Sequence, residues 1–208
     1  WRTLDIVAAG PQAIVDELSS MPAKMQQSAK EGLETAAAIG RAYTDGNATP
    51  SDTAFLFLWS FLSRGVTPYV QEAAFLDVAT KPEFADIVTQ ALRDGWTPAL
   101  QKRYKRWAKS ALPAGSPAKG TTHNLNAFGS SFKRVMTTRT GNGPTGLETI
   151  HNMILDGASS RDIRREFLRV GDRAGIDNKV VSFTLLLAGR DDVLVLDRIQ
   201  MRNQMDDG

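Results

Sequence analysis

The chain contains no cysteine. That absence excludes disulfides, thiolate zinc sites and four-cysteine iron–sulfur clusters. Histidine is nearly as scarce. Only His123 and His151 occur, neither with a second ligand at metal-binding spacing, so no metal site is expected. No uninterrupted apolar run approaches the roughly 18 residues that a membrane helix requires, so no membrane partner is expected. No signal-peptide pattern opens the sequence as given, and no internal repeat is found. A large charge imbalance is missing too. Net charge is only +2 over 208 residues, although an isoelectric point near 9.0 leans weakly toward an anionic partner. The polar, glycine-rich stretch Thr138–Pro144 lacks both the lysine–hydroxyl ending and the preceding strand of a phosphate loop, which makes it a plain connection.

What is present is helical punctuation. Leu4, Ile6, Val7, Ile14, Val15 and Leu18 form an apolar stripe broken at Gly10-Pro11, the pattern of two short helices. Pro22 starts a longer helix through Arg41, with Met25, Leu33, Ala36, Ala37 and Ile39 as its expected buried side and Asp45-Gly46-Asn47 as its end. Thr49-Pro50-Ser51-Asp52 is a start signal for the most hydrophobic stretch of the chain, Ala54–Leu62. Its apolar run fits a buried strand or a buried helix by periodicity, and the helical flanks favour the helix. Helices are expected next at Thr67–Ala79, from Pro82 to Arg93, and from Pro98 through PALQKRYKRWAKS. The last of these carries Lys102, Arg103, Lys105, Arg106 and Lys109 with Tyr104 and Trp107 among them. Two readings stand side by side: a basic helix for a nucleic-acid backbone, or a solvated helix whose aromatics pack inward.

Residues 111–122, rich in Pro, Gly and Ser, are expected to form a loop or interlobe linker. Helices follow at Asn124–Thr137 and Leu147–Leu155, and Ser159 or Ser160 caps one running to about Arg173. Gly175-Ile176-Asp177-Asn178 then makes a tight connection to a helix that opens at Lys179 and stops at Ala188-Gly189. Residues 160–187 are therefore expected to be a helix-hairpin-helix, whose outward backbone N–H groups can hold a phosphate oxygen.

The segment GIDNKVVSF followed by VLVLDRIQMR resembles the helix-hairpin-helix DNA glycosylases. It is most similar to the archaeal-type 8-oxoguanine DNA glycosylase/AP lyases, over roughly residues 160–203, about a fifth of the chain. Those enzymes carry a Gly-Ile-Gly-type hairpin, a catalytic lysine as the next helix opens, and an apolar run ending in Leu-Asp-Arg. Asp177 departs from the pattern by replacing the second glycine, a place where Asp tolerates left-handed backbone better than most residues.

The resemblance implies an all-α, two-lobed fold over 1–208, with Lys179 as nucleophile and Asp197 as assisting carboxylate. It also implies a DNA-binding set of Arg173, Gly175, Ile176, Asp177, Asn178, Arg198 and Arg202. The partner would be double-stranded DNA with a damaged or modified base, 8-oxoguanine by default. No cofactor is implied, and a monomer in the cytoplasm or nucleoid is expected. A flipped base needs a stacking pocket, for which Trp59, Phe55, Trp107, Phe128 and Phe132 are candidates. Lysine attacks only as the neutral amine. A carboxylate assists by stabilising the positive charge that develops on the sugar. Two other readings remain open: a phage-type transferase acting on hypermodified thymine, and a noncatalytic DNA-binding module.

Overall fold

The computed structural model describes residues 23–62, 82–110, 119–139, 143–171 and 176–193. Among these the architecture is all-helical, and the one β feature is an isolated antiparallel bridge between Arg139 and Thr145. The expected short N-terminal helices and the helix at Thr67–Ala79 lie outside the described residues. The helices are α1 (Ala23–Thr44), α2 (Pro50–Leu62), α3 (Pro82–Asp94), α4 (Pro98–Ser110), α5 (Lys119–Thr137), α6 (Gly146–Leu155), α7 (Ser160–Gly171) and α8 (Asn178–Leu187).

α2 is the hub, packing against α3, α5, α6 and α8. Its sequence explains why. Pro50 supplies the first helical φ, and Thr49 and Asp52 bond reciprocally, with Thr49 N donating to Asp52 Oδ2 at 2.7 Å and Asp52 N to Thr49 Oγ1 at 3.4 Å. From Leu56 to Leu62 every residue is buried. A helix apolar on all sides must be enclosed by other helices. A strand would have left that run without partners.

The core around α2 is largely aromatic. Phe57 meets Phe128 of α5 and Phe167 of α7 at centroid distances of 5.4 and 5.3 Å. Phe128 and Phe132 stack at 5.1 Å, and Phe84 stacks on Trp107. Each fully buried Phe contributes about 1.5–3 kcal/mol relative to exposure. Truncating any of these rings would therefore cost stability, whatever it did to a site.

Element ends follow their expected signals at Gly46, Gly95, Gly157 and Gly189, all with positive φ. Two expectations change. α5 begins at Lys119, so residues 119–122 are helical rather than part of the loop. Their composition is poor for a helix, and the apolar positions that follow in α5 pull the start back. In α1, Ala37 is exposed, while Ile39 and Tyr43 are buried.

Candidate functional site

α7 and α8 form a hairpin built by three features. In α7, Ile163, Phe167 and Val170 recur at helical spacing and are all buried, which fixes the inward face. Ser159 caps the helix, accepting from Asp162 N at 3.1 Å. At the turn, a Cβ on Gly171 would stand 2.4 Å from Ile176 Cδ1, so glycine lets buried Ile176 close over the end of α7. Farther out, Arg164 Nη2 donates to Ser182 Oγ at 3.0 Å, and Ser160 Oγ donates to Asp192 Oδ1 at 2.5 Å. Contacts 171–176, 164–182 and 160–192 thus step away from the turn together. That register is antiparallel.

Lys179 occupies the first turn of α8 and is half-buried, between exposed Asn178 and buried Val180 and Val181. The helix beneath it is anchored from the core side: Thr184 Oγ1 hydrogen-bonds Ser60 Oγ of α2 at 2.8 Å, both residues buried. The first turn of α8 therefore stands on a fixed base. Asp197, Arg198, Arg202, Arg173 and Gly175 lie outside the described residues.

Asp177 differs from the expectation. Its backbone is extended, φ −117° and ψ 171°, with no left-handed strain, and its Oδ1 accepts from Val180 N at 2.9 Å. It is the N-cap of α8. Such a cap stabilises a helix by about 1 kcal/mol. It also uses one of the free N–H donors and places a carboxylate at the positive end of the dipole, where an external phosphate would otherwise sit. Asp177 therefore occupies the anion site rather than offering it. Ile176 likewise acts by packing, and Asn178 is exposed beside the exposed Asp177.

The arginines of α7 are mostly engaged within the hairpin. Arg165 pairs with Asp162 at 3.2 Å and Arg169 with Glu166 at 2.6 Å, alongside the bond from Arg164 to Ser182.

The aromatic candidates divide. Phe128, Phe132 and Trp107 are core residues at 0–2% exposure and Trp59 is 4% exposed, so none presents a free face for a flipped base in this conformation. Phe55 is half-buried and, with Ile39, Ala42 and Asp52, lines a cavity of about 280 Å³ beside α1 and α2. A larger cavity, about 440 Å³, lies between α4 and α5 and is bounded by Gln101, Lys105, Asn126, Ser130 and Lys133. Lys179 lines neither.

Three features were not read from the sequence. Thr145 and Glu148 form a full capping box on α6, which the T-x-x-E spacing announces. Asp192 accepts from Arg190 and from Ser160, which together hold its carboxyl down to about 2. Tyr43, Thr53 and His151 hydrogen-bond in a buried chain across α1, α2 and α6, with Thr53 Oγ1 to His151 Nδ1 at 3.0 Å. Burial pushes the imidazole's pKa below its ordinary value, partly opposed by Asp52. No sequence pattern marks that chain, because the Thr53–His151 bond joins residues 98 apart in the sequence.

Comparison with family models, with curated proteins and with solved structures yields no match to this chain.

Proposed function

We propose that the chain is a DNA glycosylase with AP-lyase activity, built as two helical lobes, in which Lys179 attacks the sugar carbon and Asp197 assists. The observation that carries this reading is the position of Lys179. It sits half-buried in the first turn of α8, the second helix of the antiparallel hairpin and one anchored to the core. A nucleophile must be held within contact distance of its target, and a lysine on a rigid helix start gives up less freedom on reaching it than one on a loop.

The reaction proceeds in balanced steps. The glycosidic C1′–N bond breaks as the base departs with the electron pair and gains a proton, while the carboxylate of Asp197 stabilises the positive charge on the sugar. The neutral amine of Lys179 forms a bond to C1′ and loses a proton. Ring opening places a proton on O4′ and leaves an imine. Loss of the C2′ proton then expels the 3′ phosphate, and water hydrolyses the imine to return the amine. The substrate class is duplex DNA bearing a damaged or modified base.

Borohydride trapping tests this directly. Wild-type protein with an abasic-site duplex is expected to give a covalent adduct, and Lys179→Gln to give none. Asp197→Asn is expected to lower base release by on the order of 10²-fold or more. A folded, DNA-binding wild type that yields no adduct overturns the lyase mechanism.

A further inference from the structure

From Gly95 to Leu147 the sequence contains no aspartate or glutamate, yet it carries nine lysines and arginines. The rest of the chain holds sixteen cations against twenty-three acids. The near-neutral whole thus conceals a strongly basic segment in an acidic remainder. That segment forms α4 and α5, which pack against each other and enclose the cavity of about 440 Å³.

The cations are arranged as well as abundant. On α4, Lys102, Lys105, Arg106 and Lys109 fall at i, i+3, i+4 and i+7, so they share one exposed face opposite buried Leu100, Tyr104 and Trp107. None of these four side chains has an ion-pair or hydrogen-bond partner among the described residues, whereas Arg103, turned toward α3, pairs with Asp86 at 3.2 Å. Across the groove, Lys133 of α5 is exposed and its side chain is likewise unpaired among the described residues. Gln101, Asn126 and Ser130 add neutral hydrogen-bonding groups to the walls. The walls come close because Gly129 has no side chain: a Cβ there would stand 2.2 Å from Tyr104 Cε1. The Tyr104 hydroxyl donates to Leu125 O at 2.6 Å and locks the two helices together.

The groove also points somewhere. Thr137 and Thr138 line one end of it, and Thr138 Oγ1 lies 3.5 Å from Val170 O, one residue before α7 ends. It therefore leads to the hairpin connection, where Asp177 has already filled the anion site of α8.

We propose that the groove between α4 and α5 is the main DNA-backbone track of this protein, holding the phosphates that flank the base presented near the hairpin. Charge complementarity selects the partner: Lys105 and Lys133 line the groove among neutral hydrogen-bonding groups and no acids, with Lys102, Arg106 and Lys109 on the exposed face of α4 beside it, an arrangement that suits a regular polyanion. The identity of that polyanion rests on the DNA-acting reading above.

The test is fluorescence anisotropy of a labelled abasic-site duplex across a salt series, with borohydride trapping run in parallel. Lys105→Glu/Lys133→Glu is expected to weaken binding at least about tenfold and to flatten the log–log salt slope by about 2, roughly one for each phosphate no longer neutralised. The neutral pair Lys105→Gln/Lys133→Gln should show a smaller reduction in the same direction, and it carries the test if the charge reversals melt early by circular dichroism. Unchanged affinity and slope in both double variants, with wild type still trapping, overturns the track and leaves the lyase standing. A flatter slope in the variants without any wild-type adduct supports the track and overturns the lyase. A wild type that does not bind the duplex at low salt overturns both.

Discussion

α7 carries Arg161, Arg164, Arg165 and Arg169 within nine residues, and α4 carries Lys102, Lys105, Arg106 and Lys109 within eight. Three of the four on α7 have partners inside the hairpin: Ser182, Asp162 and Glu166. None of the four on α4 has one among the described residues, and the i,i+4 repulsions Lys102–Arg106 and Lys105–Lys109 each cost a few tenths of a kcal/mol. Arginine count alone would point to α7, whose arginines are mostly paired. Cations that are answered locally build structure, and those left unanswered are available to a partner.

The sharpest way to break this contrast is Gly129→Val. Its side chain would drive into Tyr104 and separate α4 from α5, at a cost of about 3 kcal/mol or more. Thermal unfolding should reveal the destabilisation, and duplex binding should fall even at temperatures where the protein remains folded. An unchanged melting temperature would show that Tyr104 and Gly129 do not hold the groove walls together.

Next in size is Asp192→Asn, which loosens the outer rung of the hairpin. The Asp192 carboxyl is depressed in the folded state, so its contribution is present above the ordinary carboxylate pKa and vanishes as pH falls through about 2. The side chain is exposed, so the expected cost is about 1 kcal/mol or less. Denaturant midpoints should show a constant gap between wild type and variant above pH about 4, closing between about 4 and 2. A gap that widened in acid would contradict the assigned partners.

His151→Asn examines the scaffold beneath both regions. The folded-state pKa of His151 is lowered, so the unfolded chain binds the proton more readily and stability must fall as pH drops below about 6.5. The variant is expected to show a flatter pH dependence below about 6.5, read from urea midpoints. An identical slope would remove His151 from the acid response.

The smallest effect separates the two helices most directly. Arg169→Ala deletes an i,i+3 pair with Glu166 and is expected to cost about 0.2–0.5 kcal/mol, with DNA affinity changed less than about twofold. Lys105→Ala removes one charge as well, and should weaken binding and flatten the salt slope by about 1. Equal effects on binding would erase the distinction between answered and unanswered cations.

The helical skeleton was legible because prolines, glycines and caps are local signals: Pro50, Pro82 and Pro98 open helices and Gly46, Gly95 and Gly189 close them. α2 was legible as a buried helix only through its neighbours, since nine apolar residues alone have no decisive period. The candidate site was legible in part. The placement of Lys179 at a helix start follows from the turn before it and the apolar run after it. The role of Asp177 did not follow, because a motif position says which residue is unusual and not which N–H it bonds. Phe128 and Phe132 looked like stacking groups by type alone, and only burial places them in the core. The basic segment lay in plain view as a fifty-three-residue stretch without acids, masked by a net charge of +2.

The rung from Ser160 to Asp192 also sets a tether. It pins the chain at the far end of the hairpin, and Asp197 is five residues farther on. Five residues reach at most about 18 Å. α8 is 10 residues long, about 15 Å, and Lys179 stands at its opposite end. A carboxylate that is to serve that lysine therefore has almost no spare leash. On the proposed mechanism, that five-residue reach bounds where the assisting carboxylate can stand.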